Sequence, residues 1–152
     1  MRFHSFSSRA TEHLGQKLAK KILRERLRTN AIVLALTGDL GSGKTTFARG
    51  FLRGLAPRAR TASPTFVLIR RAPLRGKKFT QFFHVDAYRL KRPQELVRLG
   101  FKEILADPRH LVLIEWADKL KKLLPRNLVG IKFSHTQNKN KRIILLKRRG
   151  VG

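Results

Sequence analysis

The side chains best equipped for chemistry in this sequence stand together in Gly38-Asp39-Leu40-Gly41-Ser42-Gly43-Lys44-Thr45-Thr46, where a lysine and three hydroxyls are interleaved with glycines. The spacing is G-x-x-x-x-G-K-[ST], a phosphate-cradling pattern. Glycines let the backbone curl so that successive N–H groups point inward at phosphate oxygens. A helix starting at this point adds its unpaired N–H groups and the positive end of its dipole. Lys44 has the reach for β- and γ-phosphates, and the Thr45 hydroxyl is a magnesium ligand by type. A glycine-rich turn that binds nothing would look similar in isolation, so the flanking elements must decide.

Magnesium-nucleotide chemistry also needs carboxylates near the phosphates. Glu115 ends the apolar run Leu111-Val112-Leu113-Ile114, and the carboxyl ends of parallel strands face the ligand crevice in open α/β sheets. There it would hold magnesium through water or polarise an attacking water; alternatively it caps the helix that follows. Asp86 ends Phe82-Phe83-His84-Val85 in the same manner. It is a second metal-shell group or a water-orienting group, or else it pairs with Arg89 or caps a turn. His84 shares a strand face with Asp86, but a lone strand histidine reads as a packed or hydrogen-bonded residue and stays outside the catalytic set. The five histidines, at 4, 13, 84, 110 and 135, have no metal-ligand spacing. Ser63-Pro64-Thr65-Phe66 sets two hydroxyls around a rigid proline, either as an ordinary turn or as a loop that senses the γ-phosphate. Trp116 is a core residue or lies at the crevice.

These groups require a scaffold, and its elements are readable. Ala31 to Thr37 is short, apolar and rich in branched residues, a buried strand directly before the loop. Residues 45–55 place Phe47, Ala48, Phe51, Leu52 and Leu55 at helical spacing. Strand, glycine loop and helix together turn the pattern into a nucleotide site. Ala10, Leu14, Leu18, Ile22 and Leu23 predict a helix over 9–27. Residues 66–70 and 79–85 read as a hairpin joined by Pro73-Leu74-Arg75-Gly76, and 94–105 as a helix or two helical turns around Gly100. Residues 117–124 read as helical, stopped by Pro125. Residues 128–133 and 142–146 read as a closing hairpin. The expected fold class is α/β: one domain over 1–152, a three-layer P-loop type with a mixed, largely parallel central sheet and flanking helices.

At 152 residues the chain can bury a substantial core. It contains no cysteine, which excludes disulfides and thiolate zinc sites and agrees with an expected cytoplasmic location. No apolar run approaches the length of a membrane span. Residues 1–28 are basic with only Glu12 and Glu25 as acids, loosely like an organelle transit peptide, but the amphipathic helix is the preferred reading. The chain has 35 Lys and Arg against 9 Asp and Glu, and residues 119–152 contain no acid. That balance points to polyanions, with tRNA first, or to a solvated basic face.

The motifs, taken in order, resemble the bacterial TsaE (YjeE) family, the small ATPase of tRNA threonylcarbamoyladenosine biosynthesis. The resemblance rests on Gly38 to Gly50, Ser63-Pro64-Thr65-Phe66, His84-Val85-Asp86-Ala87-Tyr88-Arg89-Leu90 and Ile114-Glu115-Trp116-Ala117. Ala10 to Gly15 and Glu95 to Gly100 are also similar to family patterns. It implies ATP binding and slow hydrolysis with magnesium as cofactor. On that basis Lys44 binds phosphate, Thr45 and Glu115 serve the metal, Asp86 supports hydrolysis, and the segment from Ser8 to Thr11 lies near the adenosine. It also implies work with TsaD and TsaB partners on adenosine 37 of tRNA. Ala87 in place of leucine and Asp118 in place of glutamate depart from the family pattern and leave the chemistry intact. The strong positive charge is not a family hallmark. Two other classes remain open: a small-molecule P-loop kinase, which leaves the Ser-Pro-Thr and His-x-Asp-x-Tyr-Arg motifs unexplained, and a nucleotide-gated RNA-binding protein, which leaves the strand-end carboxylates unexplained.

Overall fold

A computed structural model describes residues 1–59 and 68–148. The strands are β1 (Arg2–Ser5), β2 (Ile32–Thr37), β3 (Ile69–Pro73), β4 (Gln81–Asp86), β5 (His110–Glu115), β6 (Val129–His135) and β7 (Arg142–Arg148). The helices are α1 (Ser8–Leu23), α2 (Lys44–Leu55), α3 (Gln94–Arg98) and α4 (Phe101–Ala106), with a single 3-10 turn at Ala117–Leu120. All seven strands join one sheet in the order β1-β7-β6-β2-β5-β4-β3. The inner strands β6, β2, β5 and β4 are mutually parallel, and antiparallel partners close both edges. The α/β class and the mixed sheet with flanking helices expected from the sequence are therefore present.

Alternation along each strand sorts the core into two layers. On one face Ile32, Leu34, Leu36, Leu111, Leu113, Val129, Ile131 and Phe133 pack under α1 and α2 against Ile22, Phe47 and Phe51. On the other face Val33, Ala35, Val112, Ile114, Phe83 and Val85 pack under α3, α4 and the 3-10 turn, against Leu96, Phe101 and Leu120. Because both faces are covered, β2 and β5 read as continuous apolar runs.

The two helices over the first face touch closely. A Cβ on Gly50 of α2 would lie 2.0 Å from the backbone oxygen of Glu12 in α1, and one on Gly15 would lie 2.4 Å from the carbonyl of Phe47. Only hydrogen fits at either position. This contact presses the N-terminal end of α1 against the glycine loop. Ser7 caps α1 by accepting a hydrogen bond from the Ala10 N–H at 3.0 Å.

Several boundaries differ from the sequence reading. The first helix ends at Leu23 rather than 27 and is preceded by a strand that the reading omitted. The preferred helix reading thus holds over Ser8–Leu23, and Arg2–Ser5 adds a strand to it. The edge strand β3 begins at Ile69 and includes Pro73, whose missing N–H is tolerated at a sheet edge. Residues 66 and 67 of the expected hairpin strand lie outside the described residues. Gly100, at φ +86, divides the 94–105 segment into α3 and α4. The helical stretch after Glu115 reaches only Leu120. Among the described residues, no helix is long and apolar enough to cross a membrane.

Candidate active site

The glycine loop leaves the end of β2 and enters α2, the strand–loop–helix context that the pattern requires. Gly38, Gly41 and Gly43 all have positive φ, at 138°, 74° and 107°. A Cβ on Gly38 would also lie 2.4 Å from the carbonyl oxygen of Phe133 in β6. The Lys44 side chain, only 4 % exposed, folds back into the loop. Its ammonium donates to the carbonyls of Gly38 and Asp39 at 2.6 and 2.7 Å and to Ser42 Oγ at 3.3 Å. It also sits 4.1 Å from the centre of the Trp116 ring. Burial lowers the Lys44 pKa, against the pull of Glu115, Asp39, Asp118 and Asp86, which raise it.

Glu115 lies at the end of β5, directly opposite Asp86 at the end of β4. It is 3 % exposed and both of its oxygens are occupied. Thr45 donates its hydroxyl to Oε1 at 2.7 Å, and His84 Nε2 hydrogen-bonds Oε2 at 2.6 Å. Burial pushes the Glu115 carboxyl up, but His84, the Thr45 hydroxyl and the Lys44 charge outweigh it and hold the pKa below its ordinary value. The residue is not a helix cap, since Trp116 occupies that position of the 3-10 turn. Trp116 itself is the single non-glycine with positive φ among the described residues, at 60°. This local strain turns the chain sharply and lays the indole between Lys44 and Tyr88, whose ring centre is 5.0 Å away.

Asp86 accepts a hydrogen bond from the Tyr88 N–H at 3.0 Å, so it caps the turn that follows β4 while standing beside Glu115. The ion pair expected between Asp86 and Arg89 is not formed among the described residues. Thr11 is buried, bonded to Ser5 Oγ at 2.7 Å, and its methyl faces Gly43. Ser63 to Phe66 lie outside the described residues.

A cleft of about 270 Å³ opens over these groups. Thr11, Leu40, Gly41, Gly43, Lys44, Thr45, Thr46 and Glu115 line it. So do Lys139 and Asn140 from the β6–β7 connection and Arg142 at the start of β7, which sequence reasoning did not place there. Spacing could not have found them, because their position depends on β6 pairing with β2. The hairpin also props the loop from behind, with His135 donating to the Leu40 carbonyl at 3.2 Å. His84, read from the sequence as a packed or hydrogen-bonded strand residue outside the catalytic set, is hydrogen-bonded to Glu115 and so joins the site. It shares a strand face with Asp86, as the two-residue step implied, and that face is the α2 side of β4.

The arrangement suits a magnesium nucleotide. Among the described residues, no cluster of three or more His, Cys, Asp or Glu forms a metal cage. Magnesium commonly takes one or two protein groups and completes its shell with water and phosphate oxygens. The adjoining Thr45 hydroxyl and Glu115 carboxylate fit that requirement, next to an ammonium held on backbone carbonyls that a phosphate could replace.

Comparison with known proteins agrees. A family model described as threonylcarbamoyl adenosine biosynthesis protein TsaE matches residues 5–144. A Rickettsia conorii protein named tRNA threonylcarbamoyladenosine biosynthesis protein TsaE is 40 % identical over 134 residues, covering 88 % of this chain and 72 % of the relative. A Haemophilus influenzae protein of the same name is 38 % identical, covering 73 % of this chain and 67 % of the relative. The crystal structure of Bacillus subtilis YdiB superposes with a TM-score of 0.75 at 26 % identity, over 99 % of this chain and 86 % of that one. With a family match spanning nearly the whole chain and a fold to go with it, the chain belongs to the TsaE family and to tRNA threonylcarbamoyladenosine biosynthesis.

Proposed function

We propose that the chain is a magnesium-dependent ATPase with weak intrinsic activity, and that it drives threonylcarbamoyladenosine modification of tRNA adenosine 37 by acting on TsaD and TsaB homologues. The observation that carries this reading is the Lys44–Thr45–Glu115 arrangement at the mouth of the glycine loop. On ATP binding, Lys44 exchanges the carbonyls of Gly38 and Asp39 for β- and γ-phosphate oxygens. The loop N–H groups from Asp39 to Thr46 and the α2 N-terminus hold the remaining phosphate charge. Magnesium held by Thr45 and Glu115 supplies neutralisation of charge that develops on the phosphates. His84 fixes the rotation of Glu115, and Asp86, beside it, supports hydrolysis by orienting water. Thr11 and the N-terminal end of α1 lie beside the adenosine.

Two substitutions test the site. Lys44→Ala loses most ATP affinity, because it removes a buried charge-assisted phosphate contact. Glu115→Ala lowers turnover more than binding. Phosphate release from ATP alone should be unchanged by small metabolites and altered by TsaD and TsaB. Equal ATPase rates in wild type and both variants would sink the assignment, and stimulation by a small metabolite would move it to a kinase. Capture of TsaD and TsaB homologues with ATP, and its loss without ATP, tests the partnership directly.

A further inference from the structure

The sheet is wider than its second helical layer. On the face of α3, α4 and the 3-10 turn, the apolar cover reaches β2, β5 and β4. On β1, β7 and β6, the side chains of that face are exposed or half-buried. Strand alternation assigns them: Phe3, Val129, Ile131, Phe133, Ile144 and Leu146 face α1 and α2. Arg2, His4, Gly130, Lys132, Ser134, Ile143, Leu145 and Lys147 therefore face the other way. Pairing places Arg2, Leu145, Lys132 and Thr37 in one row across four strands, with Lys147 opposite Gly130 in the next row.

This makes a spaced cationic grid. Lys132 and Lys147 are diagonal neighbours across two strands, about 7–8 Å apart. Arg2 lies two strand spacings from Lys132, about 10 Å. Lys121 stands at the rim of a cleft of about 390 Å³ that includes Lys132, Leu145 and Lys147. The three strands contain no carboxylate, and Asp118 is the acid at the cleft's edge. The acid-free sequence block after Asp118 thus folds into one end of the molecule. Among the described residues this face has no Phe, Tyr or Trp and only the His4 imidazole as a ring, so its recognition is of charge and spacing rather than of sequence.

We propose that this helix-free face binds the phosphate backbone of RNA through Arg2, Lys121, Lys132 and Lys147, so that the protein touches tRNA on a surface separate from the ATP site. The choice of RNA among polyanions rests on the proposed role in tRNA modification. The apolar side chains here, the half-buried Leu124, Leu128, Ile143 and Leu145, are interspersed with Lys121, Lys132 and Lys147 rather than gathered into the charge-free core of a protein-docking patch.

The test uses the full chain and a fluorescently labelled tRNA transcript, titrated by anisotropy between about 50 and 200 mM salt. The triple substitution Lys121→Gln, Lys132→Gln and Lys147→Gln should weaken binding about tenfold or more and lower the salt slope by about 2–3. A control removing equal charge from α1 (Lys17→Gln, Lys20→Gln, Lys21→Gln) should change affinity by no more than about twofold. ATP binding, measured on both variants, should equal wild type, which verifies folding and keeps this question apart from the ATPase assignment. Equal losses in the two triples would reduce the face to diffuse attraction, and an absence of tRNA binding at the lowest salt would remove the proposal. Unchanged tRNA affinity with lost capture of TsaD and TsaB would reassign the face to a protein.

Discussion

Glu115 is a buried carboxylate with a hydroxyl on one oxygen and an imidazole on the other, and that saturation is what makes it usable. Removing His84 would leave Glu115 Oε2 buried without its partner, a loss of about 1–3 kcal/mol. His84→Ala should therefore lower the melting midpoint and reduce turnover while sparing most ATP affinity. A variant with wild-type turnover would leave His84 a packing residue only. The lowered Glu115 pKa sets a pH signature as well. Its stabilisation is complete above the ordinary glutamate range and is lost as pH falls through the lower folded value, because there the unfolded chain binds the extra proton. Melting midpoints of the wild type should fall more steeply with acidification than those of Glu115→Gln, and parallel curves would contradict the shift. The lysine, the glycines and both strand-end carboxylates were legible in the sequence because their chemistry fixes type and spacing locally. That His84 bonds to Glu115 was not, since the two are 31 residues apart and meet only through the β4–β5 pairing.

At the scale of elements, the contact between α1 and α2 makes the clearest prediction. Gly50 sits inside a helix, where alanine is normally better by about 1 kcal/mol. Its Cβ position lies 2.0 Å from the Glu12 backbone oxygen, which cannot rotate away as a side chain could. Overpacking of this kind costs about 1–3 kcal/mol and should win. Gly50→Ala should lower the melting midpoint by a few degrees and weaken nucleotide binding, because α1 carries Thr11 against Gly43. An unchanged or raised midpoint would mean that the helices separate freely. The strands and helices with strong periodicity were legible, and the ones without it were not. β1 offers one apolar residue in four and exists through pairing with β7, some 140 residues away. Likewise, the reach of Lys139 and Arg142 over the loop follows from strand order, which the sequence does not encode locally.

Across the whole molecule the few acids are placed unevenly. Of the nine, Asp39, Asp86, Glu115 and Asp118 act on Lys44, while Glu12 and Glu25 are in ion pairs with Arg53, Arg28 and Arg148. Negative charge is concentrated around Lys44, where the proposed magnesium site would need it, in a molecule otherwise dominated by cations. A formal charge of +26 on 17.5 kDa implies strong self-repulsion in the compact state. The opposing attraction is small, since exposed ion pairs contribute about 0–1 kcal/mol each. Screening shortens the reach of charge from about 30 Å at 0.01 M salt to about 10 Å at 0.1 M, and so relieves repulsion spread over the surface more than it weakens the few close pairs. The melting midpoint should therefore rise between those concentrations of sodium chloride in the absence of nucleotide, and scanning calorimetry would read it. Over the same range tRNA affinity should fall, because the cations that repel one another are the ones that release counterions. Opposite responses from one set of charges are the expected signature. A midpoint that falls with salt would mean that the acids, though few, stabilise the fold more than the cations oppose it.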